Sequence, residues 1–252
     1  MNYMKEFVKE MLESRGDQDH KKGLWIIFIA FFILLLFWIG IYLIDIRGIF
    51  GIQSYRGFWW HAFRNRSPVE IMQWGVMSAV AIYAGRVAGI HEIKGDKKGK
   101  VLWLLVAATF AMMVIEDAGD PRHIQGRYFR QFFNMPTIMV EAMFFGTMVT
   151  PIIYGFLRYW KKAFYFPATR PYFLLGGFLY AFAATTSLFR GVQGFYTRIG
   201  DRISNAFFGG EANGFLLIDF VFEESIELLA GSIFLGGLVI YHHKLGKKLS
   251  ES

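Results

Sequence analysis

The sequence predicts an all-α, polytopic integral membrane bundle of about six transmembrane helices, with both termini in the cytoplasm. The first observation behind this is composition: the 252 residues are 54% hydrophobic and 19% aromatic, unlike an average soluble domain. The second is a set of near-continuous apolar runs of membrane-spanning length. The third is that lysine occurs only near the two ends of the chain and in alternate loops between these runs.

Six segments are predicted to span the membrane, because each is apolar over much of the roughly 30 Å that a bilayer core requires. They cover residues 23–44, 71–89, 101–115, 136–157, 171–189 and 213–241.

The chain is predicted to contain one membrane domain, residues 23–243, with short cytoplasmic segments on either side. Residues 1–22 are expected to form an amphipathic helix on the membrane surface, since apolar residues recur in it at helical spacing among charged ones. Residues 244–252 are predicted to be a cytoplasmic tail.

The distribution of lysine predicts the orientation of the bundle. The first, third and fifth loops contain no lysine, whereas the second and fourth do. By the positive-inside rule the even loops and both termini face the cytoplasm of a multi-pass cell-membrane protein, which requires an even number of spans. The odd loops are rich in arginine and aromatic residues, and we expect short helices there that form an extracytoplasmic cap.

A layer of carboxylates is predicted at one depth in the bundle. The stretch 101–115 gives about 22 Å of helix before Glu116, and the stretch from residue 157 back to Glu141 gives about 24 Å. Asp219, Glu223 and Glu227 recur every four residues and should share one stripe of an α-helix, with Glu224 beside it. The layer comprises Asp219, Glu223, Glu224 and Glu227 on the last span, Glu116 and Asp117 on the third, and Glu141 on the fourth.

Three interpretations of this layer remain open. In the first it is a scaffold in which arginines neutralise the acids, because paired ions tolerate burial. The predicted partners are Arg122, Arg127, Arg130 and Arg190. In the second the acids bind a divalent cation, and an iron or manganese site would draw on Glu141, Glu223, Glu227, His61 and His123. In the third one glutamate carries protons or ions along a path.

Other cofactors and partners are excluded by residues that are missing. The chain has no cysteine, so thiolate-ligated Fe–S clusters are excluded. No histidine lies in the middle of a predicted span, which removes the ligands for a haem between helices, and no span contains the lysine that retinal requires. The net charge of +7 follows from membrane topology, so nucleic acid is not a predicted partner. The expected partners are membrane lipids, a second copy of the chain, or subunits of a membrane complex.

The favoured function is a transporter or channel-like protein that handles a cation or protons through the carboxylate layer. The first alternative is a membrane enzyme, metal-dependent if the layer binds a metal, that acts on a lipid or other apolar substrate at the outer leaflet. The second alternative is a non-catalytic subunit of a membrane complex. Apart from Arg86, the cytoplasmic half of the predicted spans contains almost no ionisable group, which weighs against a transport route and favours the alternatives.

The topology can be tested with single cysteines, because the natural chain has none. Cysteines introduced as Lys97→Cys and Arg64→Cys should be labelled by an impermeant reagent from opposite sides of the membrane. The wild-type protein is the unlabelled control. Labelling of both positions from the same side would contradict the six-span arrangement.

Overall fold

A computed structural model describes residues 18–49, 57–119, 121–189 and 194–250. All regular secondary structure in these ranges is helical, and no strand occurs in them. The predicted all-α class is therefore confirmed. Residues 1–17 of the predicted amphipathic segment lie outside the described part.

The chain forms eleven α-helices in the described ranges, together with short stretches of other helical types. Two π-helical stretches, Ile41–Ile46 and Leu217–Glu223, interrupt the α-helical pattern, and a short 3-10 turn, Pro167–Thr169, precedes α8. The α-helices are α1 (Gln18–Gly40), α2 (Phe58–Phe63), α3 (Pro68–Ile93), α4 (Lys97–Gly119), α5 (Pro121–Phe133), α6 (Thr137–Arg158), α7 (Trp160–Ala163), α8 (Arg170–Phe189), α9 (Phe195–Phe207), α10 (Gly214–Leu216) and α11 (Glu224–Ser250).

Each of the six predicted spans coincides with a long helix, and within the described ranges three helices are long and apolar enough to cross a membrane. These three are His20–Ile46, Lys97–Gly119 and Gly214–Ser250, and Ala142–Arg158 is a shorter apolar helix. The helix α11 continues beyond the predicted last span to Ser250. The odd loops contain the short helices α2, α5 and α9.

The last helix, α11, is the centre of the bundle. It packs against α1, α3 and α8, and α4 packs against α3 and α6. Most of the apolar part of α11 is buried, whereas α1 has large apolar side chains exposed along much of its length. A helix that is apolar and exposed in this way is typical of contact with lipid.

Glycines allow the neighbouring helices to approach the backbone of α11 closely. A Cβ atom added to Gly236 would lie 2.8 Å from the carbonyl oxygen of Gly23 on α1, and a Cβ on Gly23 would lie equally close to the carbonyl of Gly236. On the opposite side, a Cβ on Gly237 would lie 2.6 Å from the Cβ of Tyr172 on α8. Such small-residue contacts are how helices pack in a membrane, where the hydrophobic effect between them is absent.

The described lysines gather at one end of the bundle, here called the lysine end. Asp96, in the turn between α3 and α4, joins several elements there: its Oδ2 lies 2.7 Å from Nζ of Lys162 and 3.0 Å from Nδ1 of His91. The Tyr241 hydroxyl donates to the Lys162 carbonyl at 2.9 Å and lies 3.4 Å from Nε2 of His91. Asp96 thereby connects α3, α4 and α7, and Tyr241 joins α11 to the same cluster.

The surroundings of this cluster shift the pKa values of His91 and Asp96. Burial lowers the pKa of His91 below its usual value, and the nearby Asp96 opposes this only in part. Burial by itself would raise the pKa of Asp96, but hydrogen bonds from Lys162 and from the backbone N–H of Gly99 outweigh it and lower that pKa. The folded protein therefore favours a neutral His91 beside a charged Asp96.

The His91 shift predicts a pH dependence of stability with a definite sign. Because the folded state protonates His91 less readily than the unfolded state, stability is complete above the ordinary histidine value of 6.5 and falls as the pH drops below it. The thermal midpoint of the wild type should therefore decrease more between about pH 7.5 and about pH 5.5 than that of His91→Gln, which cannot gain this proton. Unfolding in detergent at both pH values measures the difference. Parallel curves for the two proteins would contradict the prediction.

Candidate functional site

Seven carboxylates line one cavity of about 410 Å³ at the end of the bundle opposite the lysines. The helical distance from Asp96 to this level on α4 is about 30 Å, the thickness of a bilayer core. We call it the acid cavity, and its carboxylates are Glu70, Glu116, Asp117, Asp219, Glu223, Glu224 and Glu227.

The start of α3 places Glu70 in the cavity through its own capping. Ser67 is the N-cap of the helix, Pro68 follows it, and the Ser67 hydroxyl accepts a hydrogen bond from the Glu70 N–H at 3.3 Å. The Glu70 carboxylate in turn accepts a hydrogen bond from the backbone N–H of Arg66. This is close to a capping box, which fixes where the helix begins and therefore where Glu70 lies.

The π-helical stretch Leu217–Glu223 arranges the acids of the last helix differently from the predicted α-helical stripe. In a π-helix the backbone bonds run from residue i to i+5, so the turn is wider than in an α-helix. Asp219, Glu223, Glu224 and Glu227 consequently all line the acid cavity, including Glu224, which α-helical spacing places at the margin. The Oε2 atom of Glu224 is buried and has no hydrogen-bond partner among the described residues.

Two neighbouring helices bind the acids of the last helix directly. The side-chain amide of Gln73 on α3 donates to Oε2 of Glu227, and Gln73 is 1% exposed. The buried Tyr196 on α9 donates from its hydroxyl to Oε2 of Glu223 at 2.9 Å. Burial, and then the charge of Glu223, raise the pKa of Tyr196, so its hydroxyl remains a donor.

A close contact between backbones holds α9 in position for this hydrogen bond. A Cβ on Gly200 of α9 would lie 1.8 Å from the carbonyl oxygen of Gly214, so only glycine allows α9 to lie against the start of α10. The Ser204 hydroxyl adds a hydrogen bond of 2.7 Å to the Ala212 carbonyl. These contacts hold α9 against the loop before the last helix and the start of α10.

An apolar cleft of about 270 Å³ adjoins the acid cavity. It lies between α4, α6, α8 and α11, and its walls include Phe110, Ile152, Phe156, Tyr180 and Phe234. The cleft and the acid cavity have four residues in common: Met113, Phe145, Met148 and Glu227. Glu227 therefore lies where an apolar space meets a strongly acidic one.

The predicted site residues divide into three groups. Those brought together in the acid cavity are Glu116, Asp117, Asp219, Glu223, Glu224 and Glu227. Arg127 and His61 are described but exposed, on α5 and α2 respectively, and neither lines the cavity. The side chains of Arg122, His123, Arg130 and Glu141, and the whole of Arg190, lie outside the described part.

The predicted metal site receives no support from the described residues. Within the described ranges, no group of three or more histidine, aspartate or glutamate side chains is positioned to hold a metal ion. Of the predicted ligands, Glu223 and Glu227 share the cavity, while His61 lies on the exposed face of α2.

Sequence reasoning missed several polar residues around the acids. Glu70 lies at the predicted edge of a span, and Gln73 lies one turn later inside that span. Gln73 could have been predicted to contact a polar group, because a glutamine in an apolar membrane helix needs a hydrogen-bond partner. Tyr196 and Asn65 gave no such signal, since they lie in loops whose folding back could not be foreseen.

Comparison with protein-family models, characterised proteins and solved structures gives no match for this chain. The class is therefore defined by architecture alone: the part of the chain that the structure describes is all-helical and contains three candidate membrane-spanning helices.

Removing the Tyr196 hydroxyl tests the link between α9 and the last helix. Tyr196→Phe should lower the free energy of unfolding by about 1.5–3 kcal/mol, the usual worth of a hydrogen bond to a charged group. Tyr128→Phe, at a position 57% exposed on α5, is the matched control and should change little. Denaturant unfolding in detergent measures both. A loss no larger for Tyr196→Phe than for Tyr128→Phe would show that the hydrogen bond does not stabilise the fold.

Proposed function

We propose that this protein is a six-span membrane protein that binds a cation or protons in the acid cavity and handles them as a transporter or channel-like protein. The observation that supports this is the convergence of seven carboxylates from α3, α4 and the last helix on a single cavity. No other described feature concentrates so much ionisable chemistry in one place.

The proposed topology places the lysine end in the cytoplasm and the acid cavity near the opposite face of a cell membrane. It is supported by the described lysines, which lie at the end of the bundle where α4 begins and α11 ends. The short helices α2, α5 and α9 then belong to the extracytoplasmic side and would form the predicted cap. Asp45 contributes to this arrangement by accepting hydrogen bonds from the first backbone N–H groups of α2, at 2.7 and 2.8 Å.

Electrostatics favour a positively charged ligand in the acid cavity. Carboxylates that face one another in a confined space repel, and the repulsion is stronger where water is scarce. They must be compensated by cationic side chains, by protons or by a bound cation. Because no described group is arranged to hold a metal tightly, protons or a loosely coordinated cation fit the cavity better than a structural metal ion.

One observation favours the enzyme as a second candidate. The half of the bundle near the lysine end is filled by packed aromatic rings, with the centroids of Trp103 and Tyr241 4.7 Å apart and those of Phe166 and Tyr241 5.0 Å apart. Such packing leaves no polar route through that half in the described arrangement. The apolar cleft beside Glu227 would instead suit an apolar substrate that enters from the membrane.

The Glu227→Gln variant tests the cation-binding role. If a cation binds, it should stabilise the wild type by about 2.7 kcal/mol at a hundredfold excess over its dissociation constant. Glu227→Gln should lose this stabilisation yet remain folded, because its amide can still accept the Gln73 hydrogen bond and a repelling charge is removed. Thermal unfolding should be measured with calcium, manganese, iron(II), zinc and sodium, and across about pH 5 to 8.

Glu211→Gln is the matched control, because Glu211 is exposed in the turn before α10 and does not line the acid cavity. It should keep the wild-type response. If no cation and no pH change distinguishes Glu227→Gln from the wild type, the acid cavity is a structural network and the proposed function is wrong.

A further inference from the structure

We infer that the acid cavity and the apolar cleft together form one site for a lipophilic organic cation, an amine with an apolar body. The cationic head would lie among the carboxylates and the apolar body in the cleft. This inference rests on the proposed cation-binding role of the acid cavity and names the class of ligand for it.

The first support is the adjacency of the two spaces. Met113, Phe145, Met148 and Glu227 line both, so the two spaces are adjacent and these four side chains lie between the acidic part and the apolar part. A ligand bound at Glu227 would therefore have carboxylates on one side and aromatic and aliphatic side chains on the other. Only a molecule with one charged end and one apolar end is complementary to both.

The second support is a hydroxyl group buried without a partner in the cleft. Thr109 lines the cleft and is 1% exposed, and its Oγ1 has no hydrogen-bond partner among the described residues. The hydroxyl of Tyr180, which also lines the cleft, is likewise buried and unpartnered. Buried polar groups are normally hydrogen-bonded, so these two hydroxyls, in a cleft that Glu227 also lines, offer acceptors to an ammonium head bound at Glu227.

The size of the cleft is sufficient for an apolar body. A dry cavity of about 150 Å³ already holds a benzene molecule, and the cleft has about 270 Å³. Gly177 forms part of the wall at an exposed position, and a Cβ added there would meet no atom within 4 Å, so the cleft is open to the surroundings at α8. Rings from α4, α6 and α11 complete an environment that favours an aromatic or aliphatic group.

The sign of the head group follows from the charges around it. Seven carboxylates line the acid cavity, so an anionic head would be repelled and a cationic head attracted. A protonated amine also donates hydrogen bonds, which suits the buried Oε2 of Glu224, an atom without a hydrogen-bond partner among the described residues.

Three probes with one apolar body and different heads test the inference: phenylbutylamine, phenylbutanol and phenylbutyrate. Binding is measured by equilibrium dialysis and thermal shift on the full-length protein in phosphatidylcholine nanodiscs, with empty nanodiscs to subtract partitioning into lipid. The amine should bind at least about tenfold more tightly than the alcohol, and phenylbutyrate should show no saturable binding. Similar binding of all three would overturn the inference.

Variants of the cleft separate the apolar subsite from the acid cavity. Gly177→Leu should fill the cleft and weaken phenylbutylamine binding by about tenfold or more. Gly146→Leu is the matched control, because Gly146 is exposed on α6, has open space around it and does not line the cleft. Unchanged binding in Gly177→Leu would overturn the inference.

Thr109→Val keeps the shape of the side chain and removes the unpartnered hydroxyl. It should leave the unliganded protein at least as stable as the wild type, since a buried unsatisfied group is lost. It should nevertheless weaken phenylbutylamine binding several-fold. A merely structural role for Thr109 predicts the reverse, a change in stability with unchanged binding, and that result would overturn the assignment of the hydroxyl to the ligand.

Methylammonium, which has the cationic head without the apolar body, distinguishes failure of this inference from failure of the proposed function. Suppose that methylammonium binds with the same affinity as phenylbutylamine and that Glu227→Gln abolishes its binding. The cleft is then not a subsite, but the cation-binding role stands. If Glu227→Gln changes the binding of neither amine, both the inference and the proposed function fall.

Discussion

The burial of the last helix is the constraint on which the rest of the structure depends. Because α11 packs against α1, α3 and α8, most of its apolar residues and two residues at its start, Ser225 and Leu228, are buried. The apolar part of the helix meets this constraint through glycines that admit neighbouring backbones, as at Gly23 and Gly236. The acidic part cannot meet it with apolar neighbours, since an uncompensated buried carboxylate is costly. Gln73 and Tyr196 are the described donors that α3 and α9 supply to it.

The two ends of the bundle differ in the charged side chains that they bring together. At the lysine end, one carboxylate, Asp96, is paired with Lys162 and hydrogen-bonded to His91, so the cluster is compact and locally neutralised. At the other end, seven carboxylates share one cavity. A paired cluster of the first kind is a structural element. The proposed function places its chemistry in the cavity, where the larger number of ionisable side chains lies.

The π-helical stretch before Glu224 orients the acids of the last helix toward one cavity. It widens the turn so that Glu223, Glu224 and Glu227 all reach the cavity, where a regular α-helix would send one of them to the side. Wide turns of this kind occur frequently at functional sites, because the irregular backbone is retained only where neighbouring contacts support it. Here Trp38 provides such a contact, with its Nε1 donating to the hydroxyl of Ser225 at 3.3 Å and its ring packed on Phe222.

The sequence by itself determined the helical class and the positions of the long helices, and it singled out six of the seven acids that line the acid cavity. These follow from apolar runs and helical rise, which are local properties of the chain. It could not determine the π-helical turn or the return of α9, because both depend on contacts such as Gly200 against Gly214 between segments that α-helical periodicity treats as independent. It also could not place Gln73 beside Glu227 or open an apolar cleft next to them. Those were decided by the tertiary structure, since only the packing of α4, α6 and α8 around α11 brings distant side chains to a common space.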